Sequence, residues 1–223
     1  MINTINAIKT IKCLGERYIG CGYSGPDLIL EGTPGNAMGA YLNGANIYVY
    51  GNAQDQTGDT MNEGLIVIHG STGDAVGYSM RGGAIYVRDN AGCRAGIHMK
   101  ATADKFPVLV IGGRCGSFLG EYQAGGILIV LGLGVEGESP VGDFCGTGMH
   151  GGKIFIRTEV LPEDLPPQVV VNRTRPEDLE EIAPYIEAYC SHFGTDKEAI
   201  MSKGFYVLTP NTKNPYKQLY CSN

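Results

Sequence analysis

Seven short apolar runs punctuate the first two-thirds of the chain: DLIL at 27–30, NIYV at 46–49, LIVI at 65–68, AIYV at 84–87, VLVI at 108–111, ILIV at 127–130 and KIFI at 153–156. Each is too short for a helix and rich in β-branched residues, so each predicts a strand. Repeats open at residues 16, 35, 54, 73 and 92, in steps of 19, and resume in frame at 116 and 142 after insertions of 5 and 7 residues. The fifth place of every repeat is glycine, from Gly20 and Gly39 to Gly120 and Gly146, and the tenth and eleventh places often form a glycine pair such as Gly82-Gly83. Such regularity points to backbone geometry at turns.

Alternate strand residues face opposite sides. The thirteenth and fifteenth places are uniformly aliphatic, as in Ile66 and Ile68, and predict an interior wall. The fourth and eighth places, among them Val76, Leu119, Met61, Met80 and Met99, supply further core, with flexible thioethers filling irregular gaps. The residues between the two strand columns, Ile29, Tyr48, Val67, Tyr86, Val110, Ile129 and Phe155, point outward as an apolar strip that is either covered by the chain's own tail or offered to a partner.

A 19-residue repeat cannot bury a core alone, so neighbours must stack. The expected fold is an all-β solenoid: a single-stranded, right-handed parallel β-helix of about seven 19-residue coils, with a short C-terminal helical tail. Residues 1–158 would form the β-helix, its first 15 residues capping one end, and 159–223 a proline-rich exit and helical tail. In that tail Leu179, Ile182, Ile186 and Tyr189 fall at helical spacing around Pro184. A second short helix is expected after Thr195 as N-cap with Glu198 at its third place, FYVLTP reads as a last strand, and 211–223 read as loosely ordered.

Composition sharpens this picture. The 34 glycines in 223 residues are about twice the ordinary share of roughly 7%, which the turn columns absorb. With 17 Lys and Arg against 23 Asp and Glu the net charge is −6, and a field of that sign repels phosphate backbones, so nucleic acid is discounted as a partner. No stretch of about 18 apolar residues and no leader-like start is present, so a cytoplasmic protein without membrane contact is expected. Seven cysteines without a C-x-x-C pair argue against a disulfide framework or zinc ribbon.

No residue is assigned a catalytic, cofactor-binding or metal role. GCGYSG at 20–25 and GLGVEG at 132–137 match the dinucleotide pattern G-x-G-x-x-G but lack the strand-then-helix context that would set a pyrophosphate on a helix N-terminus. His69, His98, His150 and His192 have no ligand spacing and read as lone surface residues. Asp55, Asp74 and Asp143 recur at the second place, beside a turn whose backbone Asp commonly bonds. An independent carbohydrate-active enzyme stays open by analogy of fold, although the longer coils, open groove and secretion signal of such enzymes are missing.

The pattern G-x-x-x-G-x-x-x-x-G-G followed by a β run resembles the β-helix domain at the C-terminal end of the glutamate synthase large subunit. The stretches that carry the resemblance are YIGCGYSGPDLIL at 18–30, GDAVGYSMRGGAIYVRDNAG at 73–92 and VGDFCGTGMHGGKIFIR at 141–157. In large family members this domain follows an N-terminal-cysteine amidotransferase and a flavin-binding barrel with an iron–sulfur cluster. Met1-Ile2 offers no such nucleophile, and the cysteines offer no cluster spacing. The resemblance therefore implies a non-catalytic assembly subunit, without cofactor, of a split glutamate synthase. Its partners would be the glutamine amidotransferase and the FMN and iron–sulfur synthase subunits, and self-association into a homo-oligomer is also open. The repeat is similar as well to one subunit of formylmethanofuran dehydrogenase and to one of methylglutamate synthase, so an equivalent subunit of another redox complex is the alternative.

Overall fold

The computed structural model describes residues 8–211. Eight strands follow one another in parallel: β1 (Lys9–Leu14), β2 (Leu28–Thr33), β3 (Asn43–Tyr50), β4 (Glu63–Ile68), β5 (Gly83–Val87), β6 (Pro107–Ile111), β7 (Ala124–Val130) and β8 (Gly151–Arg157). Then come β9 (Val169–Arg173), α1 (Pro176–Phe193), α2 (Lys197–Met201) and β10 (Phe205–Pro210). The sheet order is β1-β2-β3-β4-β5-β6-β7-β8-β10-β9, with β10 antiparallel to both β8 and β9.

The expected all-β solenoid, a closed right-handed β-helix, is corrected by this topology: the strands form one ten-stranded mixed sheet carrying a helical tail. The reason is physical. Each repeat supplies one strand, and opposite it the chain runs through turns that meet as single bridges, Ala53 to Thr72, Ala91 to Cys115 and Cys115 to Val141, not as further sheets. The count of seven is also short by one, because Lys9–Leu14, expected as part of a cap, pairs in parallel with β2.

Register follows the aliphatic columns. Leu28 pairs with Ile47, Ile47 with Ile66, Ile66 with Ile85, and so on to Leu128 with Ile154. These residues are fully or almost fully buried with Met38, Met61, Met80, Met99 and Met149, as one interior core. Gln123 stands in the methionine column at 0% exposure and resolves its burial in part, donating through Nε2 to the carbonyls of Gly125 (3.2 Å) and Gly126 (3.1 Å).

α1 starts at Pro176, where proline's missing N–H costs nothing, and the Asp178 carboxylate accepts the Arg175 N–H at 2.9 Å. The helix runs on through Pro184 and ends at Gly194, left-handed at φ +68°, whose N–H reaches the Cys190 carbonyl. α2 is capped by Asp196, not Thr195: the Asp196 carboxylate accepts the Ala199 N–H at 3.2 Å, while the Thr195 hydroxyl is buried without a partner. FYVLTP forms β10 as expected, and the segment read as loosely ordered lies, beyond Asn211, outside the described residues.

Candidate interaction face

Left-handed backbone recurs three times in every repeat. The fifth-place glycines have φ between +64° and +73°. The third place is left-handed as well, at Tyr18, Ala37, Gln56, Ala75, Arg94, Phe118 and Phe144, and so is the seventh, at Tyr41, Thr60, Ser79, His98 and Tyr122 together with Gly22 and Gly148. Hydrogen bonding between repeats explains the alternation. The Ala75 N–H donates forward to the Cys93 carbonyl, the Gly77 N–H back to Thr57 and the Ser79 N–H forward to Ile97, each at 2.8 Å. Odd-numbered places thus join the repeats on either side, and each swing of the peptide plane requires a positive φ.

A bulky side chain at positive φ is an outlier, disfavoured by about 1–2 kcal/mol against ordinary helical backbone. Glycine would meet the same geometry, yet the last three repeats carry rings there. Phe118 and Phe144 stack with centroids 5.0 Å apart, with the Arg94 guanidinium 4.9 Å above Phe118. Beside them His98 stacks on Tyr122 at 5.2 Å, and Tyr78 meets His98 edge-on at 5.9 Å. Tyr122 lies over Gly148, where any Cβ would strike its ring. Tyr122 and Phe144 remain 42% and 45% exposed, so these rings are not core. Tyr18 and Tyr41 extend the same columns into the first two repeats at 62% and 53% exposure. The sequence held only a faint sign of these columns: the Gly-x-Gly pairs Gly20-Gly22 and Gly146-Gly148 mark the fifth and seventh places, and nothing marks the third.

The outward strip has a different fate. Tyr86, Val110, Ile129 and Phe155 are buried in a second core with Ile182, Ile186 and Tyr189 of α1, so the tail covers this part of the strip, and Val67 is buried beside it. The Tyr189 hydroxyl donates to the Arg88 carbonyl at 2.8 Å, and burial pushes the Tyr86 hydroxyl up to about 12. Ile29 and Tyr48, nearer the β1 edge, stay half-buried.

The polar residues singled out from sequence are structural. Asp55 accepts the Asp74 N–H at 2.9 Å and Asp74 accepts the Cys93 N–H at 2.8 Å, so this column bonds the next repeat and not its own turn. Asn52, Ser71 and Asn90 form a second such ladder, to Ser71, Asn90 and Arg114 in turn. The two glycine motifs are turns: Gly20, Gly22, Gly132, Gly134 and Gly137 all have positive φ. The histidines are not lone, since His69 stacks on Tyr50, His98 on Tyr122, and His192 lies against Tyr86. Cys13, Cys115 and Cys145 are buried thiols, and burial pushes Cys145 up to about 12; Cys221 lies outside the described residues. Among the described residues no three His, Cys, Asp or Glu side chains gather as metal ligands, and no helix is long and apolar enough to cross a membrane.

The family model for the GXGXG motif matches residues 3–211. The chain belongs to the GXGXG motif family. That family is found in the glutamate synthase large subunit. The GXGXG chain is 45% identical over 224 residues to the uncharacterized protein MJ1350 of Methanocaldococcus jannaschii, spanning 97% of its own length and 86% of that relative. Among solved structures it is similar in fold to a chain of the formyltransferase/hydrolase complex (FhcABCD) of Methylorubrum extorquens in complex with methylofuran. The TM-score is 0.51 at 22% identity, over 84% of this chain and 74% of that one.

Proposed function

We infer that this GXGXG chain is a non-catalytic assembly subunit of a multi-protein redox or one-carbon complex. A formyl-transferring assembly fits better than the split glutamate synthase implied by the sequence resemblance. The observation that carries this reading is the fold likeness to a chain of the formyltransferase/hydrolase complex over most of both lengths. The surface columns of Arg94, His98, Tyr122 and Phe144, with half-buried Phe118 among them, support it, because stacked aromatics and arginine are the residue types enriched where protein surfaces meet. A rigid stacked scaffold suits docking better than chemistry that needs water excluded. The chain would bind no cofactor of its own.

A split glutamate synthase is the second reading, favoured by the presence of this family in the glutamate synthase large subunit. Affinity purification of the tagged full chain from its native host, with identification of stoichiometric partners by mass spectrometry, separates the two. Formyltransferase or hydrolase subunits are the expected partners. A glutamine amidotransferase with an FMN and iron–sulfur subunit would establish the second reading, and a chain that purifies alone would overturn both.

A further inference from the structure

We propose that the C-terminal turn of α1 is an acid-released latch on the outer face of the sheet, formed by His69 and His192 within one aromatic cluster. The His69 ring, at the end of β4, stacks on Tyr50 at 4.6 Å with 12° between planes and meets the Phe193 edge at 5.2 Å. His192 packs on Tyr86 at 5.3 Å, and Phe193 meets Tyr189 at 4.7 Å. These contacts and the Tyr189 hydroxyl bond to the Arg88 carbonyl fasten the last turn of α1 to the sheet. Above the turn, Leu179, Ile182, Tyr185 and Ile186 pack against the sheet, and Glu181 pairs with Lys153 of β8 at 2.5 Å on the exposed side.

The cluster disfavours the charged form of both imidazoles. Burial lowers His69 first, then the nearby Arg88 charge and His192; burial alone lowers His192. The Arg88 guanidinium faces His69 from the end of β5 and is itself held by Asp89 at 2.9 and 3.0 Å. Tyr50 faces His69 and Tyr86 faces His192 through their rings. On α1 the Glu187 carboxylate is bound by Lys197 at 2.9 Å on the exposed side. Two effects act the other way: the negative end of α1 favours a protonated His192, and a cation on His69 would gain from the Tyr50 face. Desolvation and repulsion from Arg88 outweigh them. A histidine whose folded pKa lies below its unfolded value near 6.5 contributes no pH dependence above that value, and stability falls as pH drops from about 6.5 through the folded pKa. Acid therefore loosens the last turn and uncovers Tyr86, while the first half of α1 stays seated.

Hydrogen exchange of the full chain at pH 7.5 and 5.5, corrected for intrinsic rates, tests this. Protection of amides 188–194 should fall severalfold at the lower pH, while that of amides 178–184 stays nearly unchanged. The double variant His69→Gln/His192→Gln should keep its protection at both pH values. Equal protection of the parent at both pH values, a parallel loss in both halves of α1, or a pH effect that survives in the double variant would overturn the latch. Titration of the imidazole resonances in the parent protein is independent of the variant's folding: both values must fall below 6.5, and a value at or above it for either ring overturns the proposal.

Discussion

Gly77 and Gly96 occupy the same place in successive repeats, at φ +69° and +66°, but a side chain would meet different surroundings. A Cβ at Gly77 would have Leu109, Met80 and Ile85 as its nearest neighbours, none nearer than 3.6 Å, whereas at Gly96 it would meet two Leu128 methyls at 2.6 and 2.9 Å. Gly77→Ala should therefore cost about 1–2 kcal/mol, the backbone term alone. Gly96→Ala should cost about 1–3 kcal/mol more, because Leu128 has to move. Urea denaturation of the two variants measures the gap, and equal midpoints would show that the fifth place is governed by backbone alone. The fifth-place column was legible in the sequence because only glycine fills it. The third and seventh were not, because Phe118, Arg94 and Tyr122 adopt the same left-handed state despite the cost, held there by N–H bonds to the following repeat. Local propensity carries no sign of a conformation that long-range bonds impose.

α1 shows what periodicity does and does not reveal at the scale of an element. Ile182, Ile186 and Tyr189 form the predicted buried stripe, and Leu179 is half-buried beside them. What the spacing left open was the receiving surface, because the strip from Tyr86 to Phe155 could equally have met α1 or a partner. Ile186→Ala should cost about 2–5 kcal/mol, typical of a fully buried aliphatic truncation, and raise binding of a hydrophobic dye. Tyr189→Phe loses only the bond to Arg88 and should cost about 0.5–1.5 kcal/mol. If Ile186→Ala melts with the parent, the second core does not support the tail. The capping reading failed by one residue for a local reason: Asp196 and Thr195 are both capping types, and only backbone geometry chooses Asp196.

Across the whole molecule, period and register were readable because every 19-residue step returns the same side chains to the same column. The closed solenoid was not, because a repeat of turns and a repeat of strands stack with the same period; the chain builds one mixed sheet, joined at its far end by β10 and β9. An assembly role rests on surface that the fold itself does not need. Phe118 and Phe144 together illustrate this. Glycine at either position relieves a left-handed strain of about 1–2 kcal/mol. It gives up a stacking contact of about 0.5–1.5 kcal/mol, and it adds about 0.5–1 kcal/mol of unfolded-state entropy. Phe118→Gly/Phe144→Gly should accordingly leave stability within about 1 kcal/mol of the parent on these offsetting terms. The decisive measurement is stoichiometric co-purification of partner subunits with this double variant, run beside the parent and alongside thermal melts of both. An assembly scaffold predicts that the variant melts like the parent yet loses its partners. Full retention of partners by the well-folded variant would contradict the role assigned to the ring columns.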